Sequence, residues 1–205
     1  MKKLILKFVL LSDACFSRGD GTAGEVDIEV EHDQYGLPYL NGRALKGLLH
    51  EEAAELVHAL SLAGSTSQNW NQIANRVFGE PGSSQETQGL VRFGNATLPP
   101  HFRQKIIDNK LNAHDVLIGL TSTRTQTAND DTGAPKPETL RMMRIIPRGT
   151  PFQAELICDD GIEEMDLAFL SACVKALRRA GSNKTRGMGK IWTSFDHFKK
   201  FEEAI

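Results

Sequence analysis

The chain has 205 residues, 40% of them hydrophobic and 24% charged, with a net charge of −2. That is enough for one ordinary core without staples, and no apolar run is long enough to span a membrane. A near-neutral balance and an isoelectric point near 6.3 exclude a uniformly basic nucleic-acid binder, so an anionic partner would have to be met by a local patch.

Lys2 and Lys3 precede an apolar stretch, as in an export signal, but Lys7 interrupts it and Asp13 ends it. Residues 4–11 therefore read as a strand. Cys15, Cys158 and Cys173 are odd in number and widely spaced, which excludes a disulfide framework and a zinc ribbon. They read as reduced thiols of a cytoplasmic protein.

After a glycine-rich stretch at 17–24, Val26, Ile28 and Val30 alternate with Asp27, Glu29 and Glu31. A period of two predicts an extended segment with one acidic face. Residues 33–38 read as a turn. Asn41 is a good N-cap, and Leu45, Leu48, Leu49, Leu56, Val57 and Leu60 recur at helical spacing behind it. A polar insertion at about 61–89 leaves room for a short helix over 70–78. A strand is expected at 90–96, and short helices at 99–108 and 113–120. Residues 121–140 have no apolar period and read as a protruding loop or hairpin, a length that in a compact domain usually serves function. Strands at 142–146 and 152–158 flank a Pro147-Arg148-Gly149-Thr150 turn. A helix then carries Leu167, Leu170, Val174 and Leu177, and a last strand is expected at 191–198. This order predicts an α+β fold in one domain, a ferredoxin-like (RRM-like) core with helical insertions. The core takes in about 1–60, 90–98 and 142–198, and a thumb-like insertion spans about 121–141.

Charge is segregated along this frame. Residues 174–190 hold Lys175, Arg178, Arg179, Lys184, Arg186 and Lys190 with no acid, and residues 136–148 hold Lys136, Arg141, Arg144 and Arg148 against Glu138. Gly19, Gly21 and Gly24 fit G-x-G-x-x-G, but no strand runs directly into them and no helix follows, so a dinucleotide site is rejected. Gly181 to Lys190 fails the P-loop spacing, since Lys184 stands five before Gly189 and Ile191 replaces the hydroxyl residue. Glycines that admit an anion to backbone amides, beside Lys184, Arg186 and Lys190, still favour phosphate over a solvated basic turn. Arg43 and Lys46 at the start of the first helix oppose its dipole unless an anion is present. Taken alone, Asp27 is one solvated acid among several.

The run Gly36-Leu37-Pro38-Tyr39-Leu40-Asn41-Gly42-Arg43-Ala44-Leu45-Lys46-Gly47 resembles the segment that opens the first helix of RAMP-superfamily proteins of CRISPR effectors. Asn41 stands where proline is usual and Arg43-Ala44 where Ser-Ser is common. Gly181 to Lys190 resembles the family's glycine-rich loop. Thr123-Arg124-Thr125 through Leu140-Arg141 resembles the thumb hairpin of the backbone subunits, and Pro147 to Phe152 the turn and strand after it. The match covers about residues 4–195 in the family's order.

The resemblance implies a backbone subunit of a type III effector, III-D-like by preference. It would bind crRNA and complementary target RNA beside copies of itself and other effector subunits. RNA contacts would fall on Arg18, Arg43, Lys46, Arg124, Arg141, Met142, Gly181, Ser182, Asn183, Lys184, Arg186, Gly187 and Lys190. Asp27, shortly before the Gly-x-Pro-Tyr segment, matches the aspartate that cuts target RNA, and Asp33 a second acid nearer the turn. Mg²⁺ or another divalent cation would assist near Asp27, with no structural metal and no zinc. The alternatives are a scaffold whose partner does the cutting and, ranked lower, a stand-alone repeat-processing enzyme using a histidine such as His32.

Overall fold

The computed structural model describes residues 1–65, 68–80, 82, 88–127 and 139–195. Its centre is strand β1 (Lys2–Leu10). β1 alternates: Leu6, Phe8 and Leu10 are buried, while Lys3, Ile5 and Lys7 face solvent. It pairs antiparallel with β5 (Pro151–Cys158) on one side and with β6 (Ile191–Ser194) on the other. β2 (Val91–Phe93) adds to the outer edge of β5. The sheet order is thus β2-β5-β1-β6. With a helix after β1 and another after β5, this is the expected ferredoxin-like arrangement.

Helix α1 (Gly42–Leu62) starts where the sequence predicts, because Asn41 accepts the Ala44 amide on its side chain. The glycine after the cap has a steric reason. A Cβ on Gly42 would lie 2.2 Å from the Phe93 carbonyl oxygen, so only glycine lets the helix start press against β2. Leu45, Leu49 and Ala53 turn inward.

Helix α5 (Glu164–Ala176) is buried over nine consecutive residues, 166–174. A helix apolar on all sides needs cover on all sides. The sheet supplies one wall, and α1 and α2 (Trp70–Phe78) supply another. Trp70 stacks on Phe169 at 6.2 Å, and Phe8 on Phe152 at 5.2 Å beneath Phe16. Side chains of this size contribute roughly 1.5–3 kcal/mol each on burial. Asp166 caps α5 through the Glu163 amide and meets Arg76 of α2 at 2.9 Å, so its burial is compensated.

Helices α3 (Pro100–Asp108) and α4 (Ala113–Leu120) lead into β3 (Ser122–Gln126). β3 pairs antiparallel with β4 (Arg141–Ile145) as a separate two-stranded ribbon. The expected hairpin is therefore present at its root. Residues 128–138, with Lys136 and Glu138, lie outside the described residues, as do 196–198 of the expected last strand.

Candidate nucleic-acid interface

Three segments that the sequence singled out meet on one side of the molecule. The first is the start of α1. The second is the stretch from Arg179 to Lys190, which leaves α5 and returns to β6. The third is the root of the ribbon at Met142 and Met143.

The glycine-rich stretch is a built loop. Its ends are closed by an Ala180 amide bond to the Gly189 carbonyl, 2.8 Å, and by the Ser182 amide on the Cys15 carbonyl, 2.8 Å. A Cβ on Gly189, at φ 69°, would sit 2.0 Å from the Ala180 carbonyl oxygen, and one on Gly181 2.5 Å from that of Cys15. Asn183 takes the left-handed conformation, φ 59°, which asparagine tolerates best after glycine. One 3-10 turn follows, Lys184–Arg186. Asp13 fastens the far side, accepting the Gly189 amide on its carbonyl and the Arg148 amide, 3.0 Å, on its carboxylate.

Lys184 reaches Glu51 of α1 at 3.3 Å. Between loop and helix lies a groove of about 350 Å³, with Phe16, Asn41, Ala44, Glu51, Gly181 and Ser182 in its wall. Asn183 points its amide at the Met143 sulfur, 3.7 Å, which joins the loop to the ribbon root. Arg43, Arg186 and Lys190 are exposed and Lys46 half-buried, and among the described residues none of the four has an ion pair. Arg124 and Arg141 project from the ribbon under the same condition, and Met142, opposite Thr125, is half-buried. Gly187 adopts φ 81° and stands open. Arg18 is turned to Asp20 at 2.6 Å, at the edge of the glycine-rich 17–24 stretch.

Asp27 is exposed and anchored. Its amide donates to the Met142 carbonyl at 2.8 Å, and its Oδ2 accepts the Met142 amide at 2.6 Å. The expected acidic face is only partly acidic in effect. Glu29 is 1% exposed, with Arg144 Nε at 2.8 Å, and the same guanidinium meets Glu25 at 2.6 Å. Arg144 therefore leaves the basic cluster that the sequence assigned to 136–148. It lies in the apolar run Met143-Arg144-Ile145, where the strand carries it inward. Asp33 has no open carboxylate either. Oδ1 accepts the Tyr35 and Leu37 amides at 2.8 and 3.1 Å, and Arg103 pairs with Oδ2. His32 sits half-buried in that turn.

Sequence reading missed Glu25, Glu29 and Arg144 as a unit, and His114, which lies 3.9 Å from Glu25 at the start of α4. Only the placement of a charge inside an apolar strand hinted at the first three.

Among the described residues no group of three or more His, Cys, Asp or Glu side chains could hold a metal ion. The thiols are inert by burial: Cys15 is pushed up to about 11, mainly by desolvation and secondarily by Glu29, and Cys173 is raised further.

An α+β sheet of this order, with a ribbon thumb and a glycine-rich loop against the first helix, defines a class of RRM-like proteins. The family model of the RAMP superfamily matches residues 7–192, and the chain belongs to that superfamily. No curated protein sequence matches significantly. Among solved structures, a chain in the cryo-EM structure of the type III-B Cmr-beta bound to cognate target RNA superposes with a TM-score of 0.70 at 13% identity, covering 100% of this chain and 99% of that one. A chain of the type III-B Cmr-beta in the apo state gives 0.66 at 12%, covering 94% and 96%. At these identities the likeness is one of fold.

Proposed function

We propose that this chain is an RNA-binding backbone subunit of a type III CRISPR effector, and that Asp27 cuts target RNA paired to the guide. The observation that carries the proposal is the joining of the basic glycine-rich loop, the start of α1 and the ribbon root on one side of the molecule, with an exposed anchored acid at that root. The family match and the likeness to Cmr-beta chains support it.

The loop, Arg43 and Lys46 would take the guide backbone, reading phosphate and shape while base pairing carries sequence. Arg124, Arg141 and Met142 would border the paired target where the ribbon meets it. At a distorted step of the target, the ribose 2′-hydroxyl can lie in line with the next phosphate. Asp27 Oδ1 would accept its proton, with Oδ2 held by the Met142 amide. The oxygen then attacks phosphorus as the P–O5′ bond breaks, giving a 2′,3′-cyclic phosphate, and the leaving 5′-oxygen takes a proton from water to become a 5′-hydroxyl end. DNA lacks that hydroxyl, so the route is confined to RNA. Alternatively, Asp27 would hold a divalent cation against the phosphate, which would neutralise the developing charge.

The test is cleavage of labelled complementary RNA by the assembled effector, with Mg²⁺ or with EDTA. Wild type should give regularly spaced cuts that need the metal, and Asp27→Ala should abolish them while leaving assembly intact. Cuts indifferent to Asp27 would make this chain a scaffold.

A further inference from the structure

The segment that carries Asp27 is bonded through its backbone to residues 16–22, with Arg18 N–H on the Glu29 carbonyl at 2.9 Å and Glu29 N–H on the Asp20 carbonyl at 2.8 Å, but its backbone hold on the ribbon is slight. It forms no strand of either sheet. Its contacts with β4 are one isolated parallel bridge, Ile28 to Met143, and a few amide bonds, including Arg144 N–H to the Ile28 carbonyl at 2.9 Å. Its register against the ribbon is therefore weakly fixed by backbone alone, and a slip of one residue there would turn Asp27 to the opposite side.

A buried ion cluster adds to the hold on the ribbon. The Arg144 side chain is 5% exposed and its fork spans two carboxylates, Glu29 at 2.8 Å and Glu25 at 2.6 Å. These lie two residues either side of Asp27. Glu29 is tied further by the Thr22 hydroxyl and the Val30 amide, each at 2.9 Å. A buried ion cluster of this kind is poor evidence of stability, since apolar replacements often do as well. Its distinctive use is to impose one arrangement, and a planar guanidinium reaching two fixed acids does that where a flexible ammonium would not.

We infer that Arg144 is a positioning residue for Asp27: it locks the 25–29 segment onto the ribbon root, so that the acid and the thumb move as one piece. Target RNA gripped by the thumb is then met by a carboxylate already in place. The catalytic part of this inference rests on the nuclease reading above; the clamp itself does not.

Two measurements separate them. The first is hydrogen exchange of the full chain, wild type against Arg144→Met. Exchange should quicken in peptides covering 25–30 and 141–146 and stay unchanged over β1 and β5. Glu25→Gln removes only the half-exposed arm of the fork and should give a smaller change at the same peptides, which keeps the test open if the first variant loosens the whole chain. The second is single-turnover cleavage by the assembled effector at saturating target. R144M should bind target as wild type does and cut it slower on the order of a hundredfold, the effect of a small misplacement of a reacting group. R144M combined with Glu29→Gln should be no slower than R144M alone, as expected for partners in one contact. Unchanged exchange in R144M overturns the clamp. Cutting per bound target at the wild-type rate overturns its role in positioning. A wild-type effector that binds target and leaves it whole retires the nuclease reading, and the exchange measurement still decides the clamp.

Discussion

At the scale of single residues, what a side chain does here depends on what surrounds it more than on its type. Asp27, Glu29 and Asp33 are three acids within seven positions. One is exposed with its carboxylate half engaged, one is buried against arginine, and one holds a turn. The sequence alone puts Asp27 and Glu29 on one acidic face and Asp33 in the turn after it, because a period of two says which residues share a side but not what covers that side. The family resemblance picks Asp27, and the structure makes it the exposed one. The cysteines teach the same lesson in reverse. Their spacing predicts free thiols, and all three are free and buried. Burial raises each above its ordinary value, so the protonated, unreactive form dominates at neutral pH. Alkylation with iodoacetamide at pH 8 should therefore label none of them in the folded chain and all three after denaturation. Fast labelling of Cys15 in the native protein would contradict its placement beneath the glycine-rich loop.

At the scale of elements, local chemistry was legible wherever a signal is local. The N-cap at Asn41, the helix over 113–120 and the alternation in β1 and β5 each follow from a residue pattern that tertiary packing only completes. Asn41 does more than cap. It accepts from the Ala44 amide at 2.7 Å and donates to Glu31 at 2.9 Å, tying the helix start to the segment that follows Asp27. Asn41→Ala should cost about 1 kcal/mol and lower the melting temperature by roughly 2–4 °C for a chain of this size, read by thermal unfolding of the free chain. An unchanged melting temperature would mean that the cap is replaced by water. What the sequence did not reveal was register. Which residues of β3 and β4 face each other depends on cross-strand partners fifteen to twenty-three positions apart, and such register has no local signature. The inward turn of Arg144 was hidden for the same reason.

At the scale of the whole molecule, a chain of net charge −2 still presents a cationic surface by concentrating its cations. The sheet carries the load, with α1 and α5 on one face. The loop that leaves α5 carries Lys184, Arg186 and Lys190, with Lys184 against Glu51 of α1 and Asn183 against Met143 at the ribbon root. The acids near this patch are largely engaged: Glu51 by Lys184, Glu29 and Glu25 by Arg144. The order of motifs along the chain made this architecture readable, since a ferredoxin-like core brings the end of its second long helix back beside the first. The groove itself was not readable, because it is made by residues from four separate segments.

That the glycine-rich loop grips guide RNA through its phosphates is the central claim, and the salt dependence of guide-RNA binding tests it most directly. Each phosphate neutralised on a single strand contributes about 0.7 to the slope of log affinity against log salt. Replacing Lys184 and Arg186 together by alanine should weaken binding at low salt and flatten the slope by about 1.4, two contacts at that value. The loss should be the same for guides of different sequence. A double variant with the wild-type affinity and the wild-type slope would show that the RNA runs elsewhere on this chain.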